Sequence, residues 1–471
     1  MAPRSTALHG TSPPARRRRR PSPALLVARS LAAVVTAMVA VQLLEACGFH
    51  ARDDVFDSPQ HLYDILNGSP YVEDATVSGE RHRVIDEPKL KVDHGYTCAG
   101  ALRAASKEFL GSRAFDSATL PDGFNGTVFL NGWSLGYSDT DHHVLGLGAV
   151  IFNIAQNGNV LSWDAGGLLS DRKGDDPYDW CYQYTIVAWA KDFTRPGQLP
   201  KPHIDMKATH SDSTGKLIFV DRSLDASHRT MPAKLRVNPK PRAKLLAGFG
   251  VGFGDDHHQL LQFGFDVGES TIKRKKIKWT TDVVLKNDSN HDVYGAEIAT
   301  ILSGRSVQVW KPQSVLLESG HPDAPGFLDN DLKLEPWSGS NVCVGSTQTR
   351  NRYAFKIEGV PFTWAVPMLT GWEVGDQCSD QFVKTMGAWI EDWSWERNPG
   401  DSTGTLRYTI STVFEDEHPD TGIANGMQVE ILGLDMVDVP VNGAAAVAGS
   451  ADGDASGSVV PGVEPERDAE F

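Results

Sequence analysis

The stretch "VFLNGWSLGYSDTDHHVLGLGAVIF", residues 128–152, carries both a catalytic motif and a pattern that the chain repeats. Its residues 132–136 fit G-x-S-x-G, the turn that presents a serine nucleophile in α/β-hydrolases. Two similar stretches follow, "KLLAGFGVGFGDDHHQLLQFGFDV" from Lys244 and "PMLTGWEVGDQCSDQFVKTMGAWI" from Pro367. We call the three stretches the first, second and third repeat. What they share decides whether Ser134 belongs to an active site or to a scaffold.

The repeats share glycines and one aromatic residue, but not the serine. The aligned segments are Gly132-Trp133-Ser134-Leu135-Gly136, Gly248-Phe249-Gly250-Val251-Gly252 and Gly371-Trp372-Glu373-Val374-Gly375. The shared glycines indicate a twisted or closely packed strand that is common to all three. A nucleophile elbow also requires a helix directly after the serine, whereas "YSDTDHHVLGLG" has no helical periodicity. The pattern therefore favours a scaffold role for Ser134 over a catalytic one.

A second pattern, which follows each repeat, favours β-strands. Trp163 and Tyr178 lie 15 residues apart, as do Trp279 and Tyr294, and "TLRYTISTVF" takes the corresponding place in the third copy. β-Forming residues alternate with small or polar ones, and Gly- and Asp-rich clusters separate the segments, as turns require. The aligned glycines lie 116 and 123 residues apart, which is the size of a domain. The sequence thus predicts a mainly β protein of three tandem β-sandwich modules. We define the first, second and third module as residues 125–195, 205–312 and 325–440.

The segments on either side of the modules have a different character. Residues 47–124 are expected to form a small helical or irregular preface that packs on the first module. One helix is predicted over "SPQHLYDIL", from Ser58, and another over "TCAGALRAASKEFLG", residues 97–111, which has one apolar stripe and a terminal glycine. The tail, residues 441–471, is rich in Ala, Gly, Ser, Asp and Val and cannot build a core, so disorder is expected there.

The N-terminus has the features of an export signal. Residues 1–29 carry seven arginines and no acid, and an apolar run follows from Leu31 to Leu44. This run is shorter than the ~20 residues that a membrane-spanning helix needs, and it is typical of a secretory signal. The sequence Leu44-Glu45-Ala46-Cys47 resembles the lipobox of bacterial lipoproteins. That resemblance implies removal of residues 1–46, lipidation of Cys47 and attachment to a membrane through the lipid. Plain secretion or an uncleaved anchor remains the alternative.

The charge of the mature chain limits its partners. The whole sequence has 45 basic and 60 acidic residues, and removal of residues 1–46, with seven arginines and one glutamate, leaves 38 and 59, a balance of −21. Such a surface repels nucleic acid and anionic membranes, so no nucleic-acid partner is expected. It suits cations or neutral ligands.

The cysteines predict disulfides. If Cys47 carries lipid, an even set remains for an oxidising compartment: Cys98, Cys181, Cys343 and Cys378. The pairs Cys98–Cys181 and Cys343–Cys378 are favoured, because each bridge then stays within one part of the chain. Free buried thiols are the alternative.

Two turns combine histidine with aspartate. Asp141-His142-His143 in the first repeat recurs as Asp256-His257-His258 in the second. Neutral imidazole and carboxylate suit zinc or another transition metal. Because adjacent residues of a strand point to opposite faces, a metal would need Asp141 with His143, Asp256 with His258, or His142 with a distant partner. A polar turn with no metal is the other interpretation.

Acidic loops form a second candidate for metal binding. They occupy corresponding turns after the second pattern, at residues 171–176, 287–292 and 415–420. The candidate ligands in the first two are Asp176 and Asp292. Clustered carboxylate and amide oxygens suit calcium, although none of the loops has EF-hand spacing, and solvated turns are the alternative.

Aromatic residues raise the question of carbohydrate binding. Trp389, Trp393 and Trp395 share parity, which predicts that they lie on one face of a strand, either as a platform for sugar rings or as core. In the first module, "TVFLNGW", a tryptophan strand and "YTIVAWA" resemble an H-type lectin module. That resemblance implies a six-stranded sandwich that binds sugars, and it covers about 60 residues.

These observations lead to one main hypothesis and two alternatives. The main hypothesis is an exported, lipid-anchored surface protein whose modules bind carbohydrate or a cell-surface protein, because repeated binding modules gain avidity. The first alternative is a secreted hydrolase that uses Ser134 or a metal at the Asp-His-His turns. The second is a purely structural component of the envelope.

Overall fold

The structure of the protein is a computed structural model. It describes residues 77–102, 111–139, 142–171, 176–191, 207–210, 228–236, 240–253, 258–268, 270–287, 293–303, 307–317, 326–328, 350–376, 382–400, 403–416 and 423–434. All of these belong to one compact unit, residues 54–471, whereas the unit Met1–Asp53 lies outside the described residues.

Every regular element within these residues is a β-strand, which confirms the prediction of a mainly β protein. None of the described residues is helical, and accordingly they include no helix long and apolar enough to cross a membrane. The strands are β1 Val77–Glu87, β2 Leu90–Leu102, β3 Gly111–Thr119, β4 Phe124–Tyr137, β5 Gly146–Asn157, β6 Val160–Ser170, β7 Tyr178–Ala190, β8 Lys207–His210, β9 His228–Arg236, β10 Pro241–Phe253, β11 Gln262–Val267, β12 Thr271–Lys273, β13 Lys276–Lys286, β14 Val293–Ser303, β15 Val307–Leu317, β16 Gly326–Leu328, β17 Arg350–Val360, β18 Trp364–Asp376, β19 Thr385–Arg397, β20 Gly404–Glu415 and β21 Ile423–Leu434.

The strands form three antiparallel sheets. The first has the order β1-β2-β7-β4-β19-β20-β17, and the second has the order β3-β6-β5-β10-β14-β8. The third has the order β12-β13-β11-β18-β21-β15-β16, with β9 on the other side of β13. Most strands are long, and in several of them buried and partly exposed side chains alternate, as expected for sheets with one face on a core.

Each sheet joins strands of two predicted modules, and the three joints have the same construction. The strand that carries the repeated glycines, β4, β10 or β18, pairs with the strand that follows the glycine-bearing strand of another module, β19, β5 or β11 respectively. In these pairs Gly132 lies opposite Trp389, Gly248 opposite Val150, and Gly371 opposite Asp266. The sheets therefore cross the predicted module boundaries and link first to second, second to third, and third to first module in a closed cycle.

Two of the three aligned glycines, Gly132 and Gly248, lie where their joints are tight, whereas the atoms nearest to a Cβ added at Gly371 are 3.1–3.3 Å away. A side chain at Gly248 would place its Cβ 2.6 Å from the Cα of Val150, and one at Gly132 would overlap the Cβ of Trp389. No larger residue fits such an approach of two backbones without moving a strand. The position therefore requires glycine for a packing reason that is independent of catalysis.

The aromatic residues that follow these glycines meet in the centre of the core. The ring centroids of Trp133 and Phe249 are 5.2 Å apart, those of Phe249 and Trp372 are 4.7 Å apart, and those of Trp133 and Trp372 are 5.5 Å apart. All three side chains are essentially inaccessible to solvent. One aromatic cluster thus holds the three repeats together, with the dispersion and edge-to-face contacts that aromatic pairs favour.

The prediction of a helix over residues 97–111 is wrong for its described part. Residues 97–102 belong to β2, which pairs with both β1 and β7. Helix propensity is a weak preference, and pairing on both sides of β2 overrides it. The preface as a whole, where described, forms strands β1 to β3 instead of helices. The predicted helix from Ser58 lies outside the described residues, as do the leader with Cys47 and the tail 441–471.

The structure contains the predicted Cys98–Cys181 disulfide. The two residues lie directly opposite each other in β2 and β7, with their Cα atoms 4.0 Å apart. The bond ties the preface to the first module. Cys343 and Cys378 lie outside the described residues.

Candidate metal centre

Two loops at the same end of neighbouring strands bring a histidine and two carboxylates together. Asp139 and His142 lie between β4 and β5, and Asp176 lies between β6 and β7. Because β4 and β7 are hydrogen-bonded neighbours, the end of one and the start of the other meet at one edge of the sheet. The amide of Ser138 donates to the carbonyl of Pro177 at 2.9 Å, which holds the two loops in contact.

Contacts with the third repeat fix the position of His142. Its amide donates to the carbonyl of Val383 at 3.0 Å, and the amide of Val383 donates back at 2.9 Å. Its ring packs against Tyr137, with the centroids 4.7 Å apart. The Nζ of Lys384 donates to the carbonyl of Asp139 at 2.6 Å. The loop therefore has backbone and side-chain support from the two residues directly before β19.

The three side chains converge on a small volume. The Nε2 of His142 lies 3.2 Å from Oδ1 of Asp139, and its Nδ1 lies 3.2 Å from Oδ2 of Asp176. One donor atom from each of the three residues falls within 4.8 Å of the others. His142 and Asp176 are each 21% exposed and Asp139 is 44% exposed, so the cluster is open to solvent on one side.

The surroundings of the cluster favour positive charge. The hydroxyl of Tyr137 is buried and donates to the carbonyl of His143 at 3.2 Å. Burial, followed by the charges of Asp171, Asp176 and Asp139, raises the pKa of Tyr137 well above its ordinary value. Burial is the main cause of this rise, and the three carboxylates add to it; their negative charges also favour a cation nearby.

This donor set suits a divalent transition metal. Zinc takes imidazole nitrogen and carboxylate oxygen, and a site with three protein ligands keeps a coordination position open. Calcium prefers six to eight oxygens, which the described residues do not supply here.

The second repeat contains a similar turn. His258 forms a backbone bridge with Val144, as His142 does with Val383. Its ring packs on Phe253 at a centroid distance of 4.8 Å, in the way that His142 packs on Tyr137. The candidate ligands Asp256 and Asp292 lie outside the described residues. Phe253 has no hydroxyl group, whereas Tyr137 places one at the turn of the first repeat.

The structure brings together only part of the ligand set predicted from sequence. It joins Asp176 to His142, the distant partnership considered above, and it adds Asp139, which sequence reasoning missed. Asp141 lies outside the described residues, and His143 packs on Phe382 with the ring centroids 4.6 Å apart. The spacing of Asp139 three residues before His142 was the only available signal, and it is common in polar turns.

Ser134 lies in the interior of a strand. Its backbone pairs with Gly387 on one side and with Cys181 on the other. The strand continues to Tyr137, and the next described element, β5, is also a strand. The strand-to-helix turn that exposes a serine nucleophile is therefore absent from this described segment.

The predicted tryptophan platform is divided between two faces. A bulge between Ile390 and Asp392 adds one residue to β19, so Trp389 lies on the face opposite to Trp393 and Trp395. Trp393 is 5% exposed, and Trp395 packs against the core and donates from Nε1 to the carbonyl of Thr363 at 3.1 Å. The shared face predicted from parity is wrong because one inserted residue reverses the alternation.

Comparison with known proteins reveals no related group. No family model matches the chain, and neither a curated protein nor a solved structure is similar to it. The geometry of the cluster therefore carries the functional argument.

Proposed function

We propose that the protein is an exported, lipid-anchored envelope protein that binds carbohydrate through a divalent cation held by Asp139, His142 and Asp176. The observation that carries this proposal is the convergence of one imidazole and two carboxylates from two loops, with donor atoms within 4.8 Å of one another. Three protein ligands leave coordination positions open, and neighbouring hydroxyl groups of a sugar are suitable oxygen ligands for them.

The proposal includes three copies of one β-sandwich module. Two observations support it: the same pairing between a glycine-bearing strand and a strand of another module occurs three times, and the aligned residues Trp133, Phe249 and Trp372 form one buried cluster. Export is supported by the leader and by the Cys98–Cys181 bond, since disulfides persist in oxidising compartments. Repetition suits a binding protein, because linked modules raise effective concentration.

Binding of metal and of glycans tests the proposal. Calorimetry with zinc should detect binding to the wild-type chain lacking residues 1–46, and His142→Ala should abolish it. His82→Ala is the matched control, because His82 is an exposed histidine on β1, remote in sequence from both loops. A glycan and polysaccharide screen should then show ligands that the chelator EDTA and His142→Ala both remove.

Three results would overturn the proposal. Zinc that binds His142→Ala as tightly as wild type would place the metal elsewhere. Glycan binding that survives the chelator would separate carbohydrate from the metal. No glycan binding at all would favour the structural envelope component instead.

The same donor set supports a metal-dependent hydrolase as the second candidate. A divalent metal with an open position lowers the pKa of bound water and generates a nucleophile at neutral pH. Ester and glycoside hydrolysis that requires zinc and His142 would favour this candidate over simple binding. Ser134→Ala serves as the internal comparison, since it should leave such activity unchanged and would abolish activity of a serine hydrolase.

A further inference from the structure

A groove in the second module is lined almost entirely by cations. It lies on strands β9, β12 and β13 and has a volume of about 760 Å³. Thr271 and seven cationic residues line it: Lys234, Arg236, Lys273, Arg274, Lys275, Lys276 and Lys278. All seven side chains are exposed. On a mature chain with a net charge of −21, such a concentration of positive charge is a local exception.

The strand register places like charges directly opposite one another. Lys276 of β13 lies between Lys273 of β12 and Arg236 of β9, so three cations form one cross-strand row. In the next row on the same face, Lys278 lies opposite Lys234. Opposed like charges destabilise a sheet. A row of this kind costs stability unless a negatively charged ligand occupies it.

The opposite face of the same strands is fixed by a small core. Ile277 and Trp279 alternate with the lysines of β13 and are buried against Ala299 and Ile301. A slip of register by one residue would expose this core, so the lysines cannot turn away from the groove. The strand register therefore fixes the cationic row on the groove side of the sheet.

Two further observations separate the groove from an ordinary charged surface. None of the seven cations forms an ion pair with a carboxylate of the described part of the chain. Arg274, in the turn between β12 and β13, has a φ of 57°, a conformation that glycine or asparagine adopts more readily. Residues in strained backbone positions cluster at ligand-binding sites. Arginine at this turn keeps a cation over the groove.

We propose that this groove binds the sulfate or phosphate groups of an anionic polysaccharide. The lining has no aromatic side chain on which the bases of a single-stranded nucleic acid could stack. A duplex or a membrane would extend beyond the groove, and the net charge of −21 on the mature chain opposes such a large anionic partner. An oligosaccharide segment fits within the groove itself. This inference concerns a separate site from the metal centre and does not depend on it.

Fluorescence anisotropy with a labelled sulfated oligosaccharide, a heparin-derived hexasaccharide, tests the proposal. The probe should bind the chain lacking residues 1–46 and should dissociate as salt rises, because salt screens the contact. The triple variant Lys273→Gln/Lys275→Gln/Lys276→Gln should weaken binding by about tenfold or more. The matched control, Lys191→Gln/Lys356→Gln/Arg397→Gln, removes the same charge elsewhere and should bind like wild type. EDTA should change nothing, which distinguishes this site from the metal centre.

Thermal unfolding provides the second measurement. Because the triple variant removes opposed like charges, its melting temperature should equal or exceed that of wild type. The hexasaccharide should raise the melting temperature of wild type and of the control variant but not of the triple variant. The single variant Lys276→Gln, at the centre of the row, should weaken binding by a smaller factor and serves if the triple variant fails to fold.

Other outcomes would overturn the proposal. Equal binding by the triple and the control variants would show that overall charge, and not the groove, is responsible. A single-stranded DNA of equal charge, or vesicles with 30% phosphatidylglycerol, that bind more tightly than the hexasaccharide and depend on the same lysines would replace the polysaccharide with that class of ligand.

Discussion

The first and second modules each bury a tryptophan at an equivalent position, and each provides its indole N–H with a different hydrogen-bond acceptor. In the first, the Nε1 of Trp163 donates to the hydroxyl of Tyr182 at 3.2 Å. In the second, the Nε1 of Trp279 donates to Oε2 of Glu297 at 3.0 Å. The register equates Tyr182 with Glu297, since they lie opposite the aligned residues Trp133 and Phe249. A buried indole N–H needs an acceptor, but the chain meets that need once with a neutral phenol and once with a carboxylate.

The carboxylate brings a second requirement. Glu297 is completely buried, and Lys244 approaches its Oε1 with Nζ at 3.3 Å, an ion pair whose angles fall outside hydrogen-bond geometry. Burial lowers the pKa of Lys244, although Glu297 opposes the effect. The corresponding position in the first module is the buried Val128. The change of acceptor from Tyr182 to Glu297 is thus accompanied by a change from the apolar Val128 to the charged Lys244.

Breaking the buried pair should have the largest effect. Glu297→Ala leaves the Lys244 ammonium buried without its partner and should lower the free energy of unfolding by about 3–5 kcal/mol. Denaturant unfolding followed by tryptophan fluorescence measures this. The double variant Lys244→Val/Glu297→Tyr, which introduces the first module's residues, should recover most of the loss. Equal stability of Glu297→Ala and wild type would show that the pair contributes nothing.

Removing the disulfide should weaken the first module by the next largest amount. The bond closes a loop with a sequence separation of 83 residues. Cys98→Ser/Cys181→Ser should lower the free energy of unfolding by about 2–4 kcal/mol, because the unfolded chain gains freedom. Reductant should reproduce the loss in wild type. Superimposable denaturation curves for variant and wild type would contradict the expectation.

Acid should destabilise the first sheet, which contains β2. His94 on β2 is 2% exposed, and burial, as the main cause, lowers its pKa from 6.5 to about 4. The unfolded chain therefore takes up a proton before the folded chain does as pH falls. The contribution of His94 to the free energy of unfolding is fully present above pH 6.5. It is lost progressively as the pH falls toward 4, by about 3 kcal/mol at most. His94→Gln should remove this part of the pH dependence, and an unchanged profile would contradict its origin.

Removing the neutral acceptor, the Tyr182 hydroxyl, should have the smallest effect on the free energy of unfolding. Tyr182→Phe deprives Trp163 of its partner and also removes a hydrogen bond of 2.9 Å to Oδ2 of Asp116. An unpaired buried donor of this kind costs about 1–2 kcal/mol. The Asp116 carboxylate keeps its hydrogen bonds from Thr97 and from the amide of Ser117. Denaturant unfolding beside Glu297→Ala gives the comparison directly. A loss as large as that of Glu297→Ala would mean that charge is not the important difference between the modules.

Local patterns in the sequence predicted local features well. Gly132 and Gly248, two of the glycines shared by the repeats, occur where backbones approach closely, and a pattern of aligned residues is sufficient to find such positions. Cys98 and Cys181 pair as predicted. The failures have a common cause. The bulge that separates Trp389 from Trp393 and the two-sided pairing of β2 arise from contacts between distant strands, which a single segment does not encode.

The candidate sites were only partly predictable for the same reason. His142 and Asp176 belong to motifs that stand out in the sequence, but Asp139 became recognisable only when the two loops were adjacent. The lysines of residues 273–278 form a visible basic run. Its significance depends on Arg236 and Lys234, which the register of β9 places opposite it. Charge rows across a sheet cannot be read from one strand.

The closed cycle of shared sheets has a consequence for how the chain reaches its native state during synthesis. β4 obtains its partner only when β19 is available, because Gly132 pairs with Trp389. Until then the N-terminal third of the nascent polypeptide carries an open hydrogen-bonding edge, which is a template for aggregation. A truncated product that ends before residue 385 would keep that edge permanently. Such fragments are expected to depend on chaperones and to be degraded, and the cycle closes only as the last strands emerge from the ribosome.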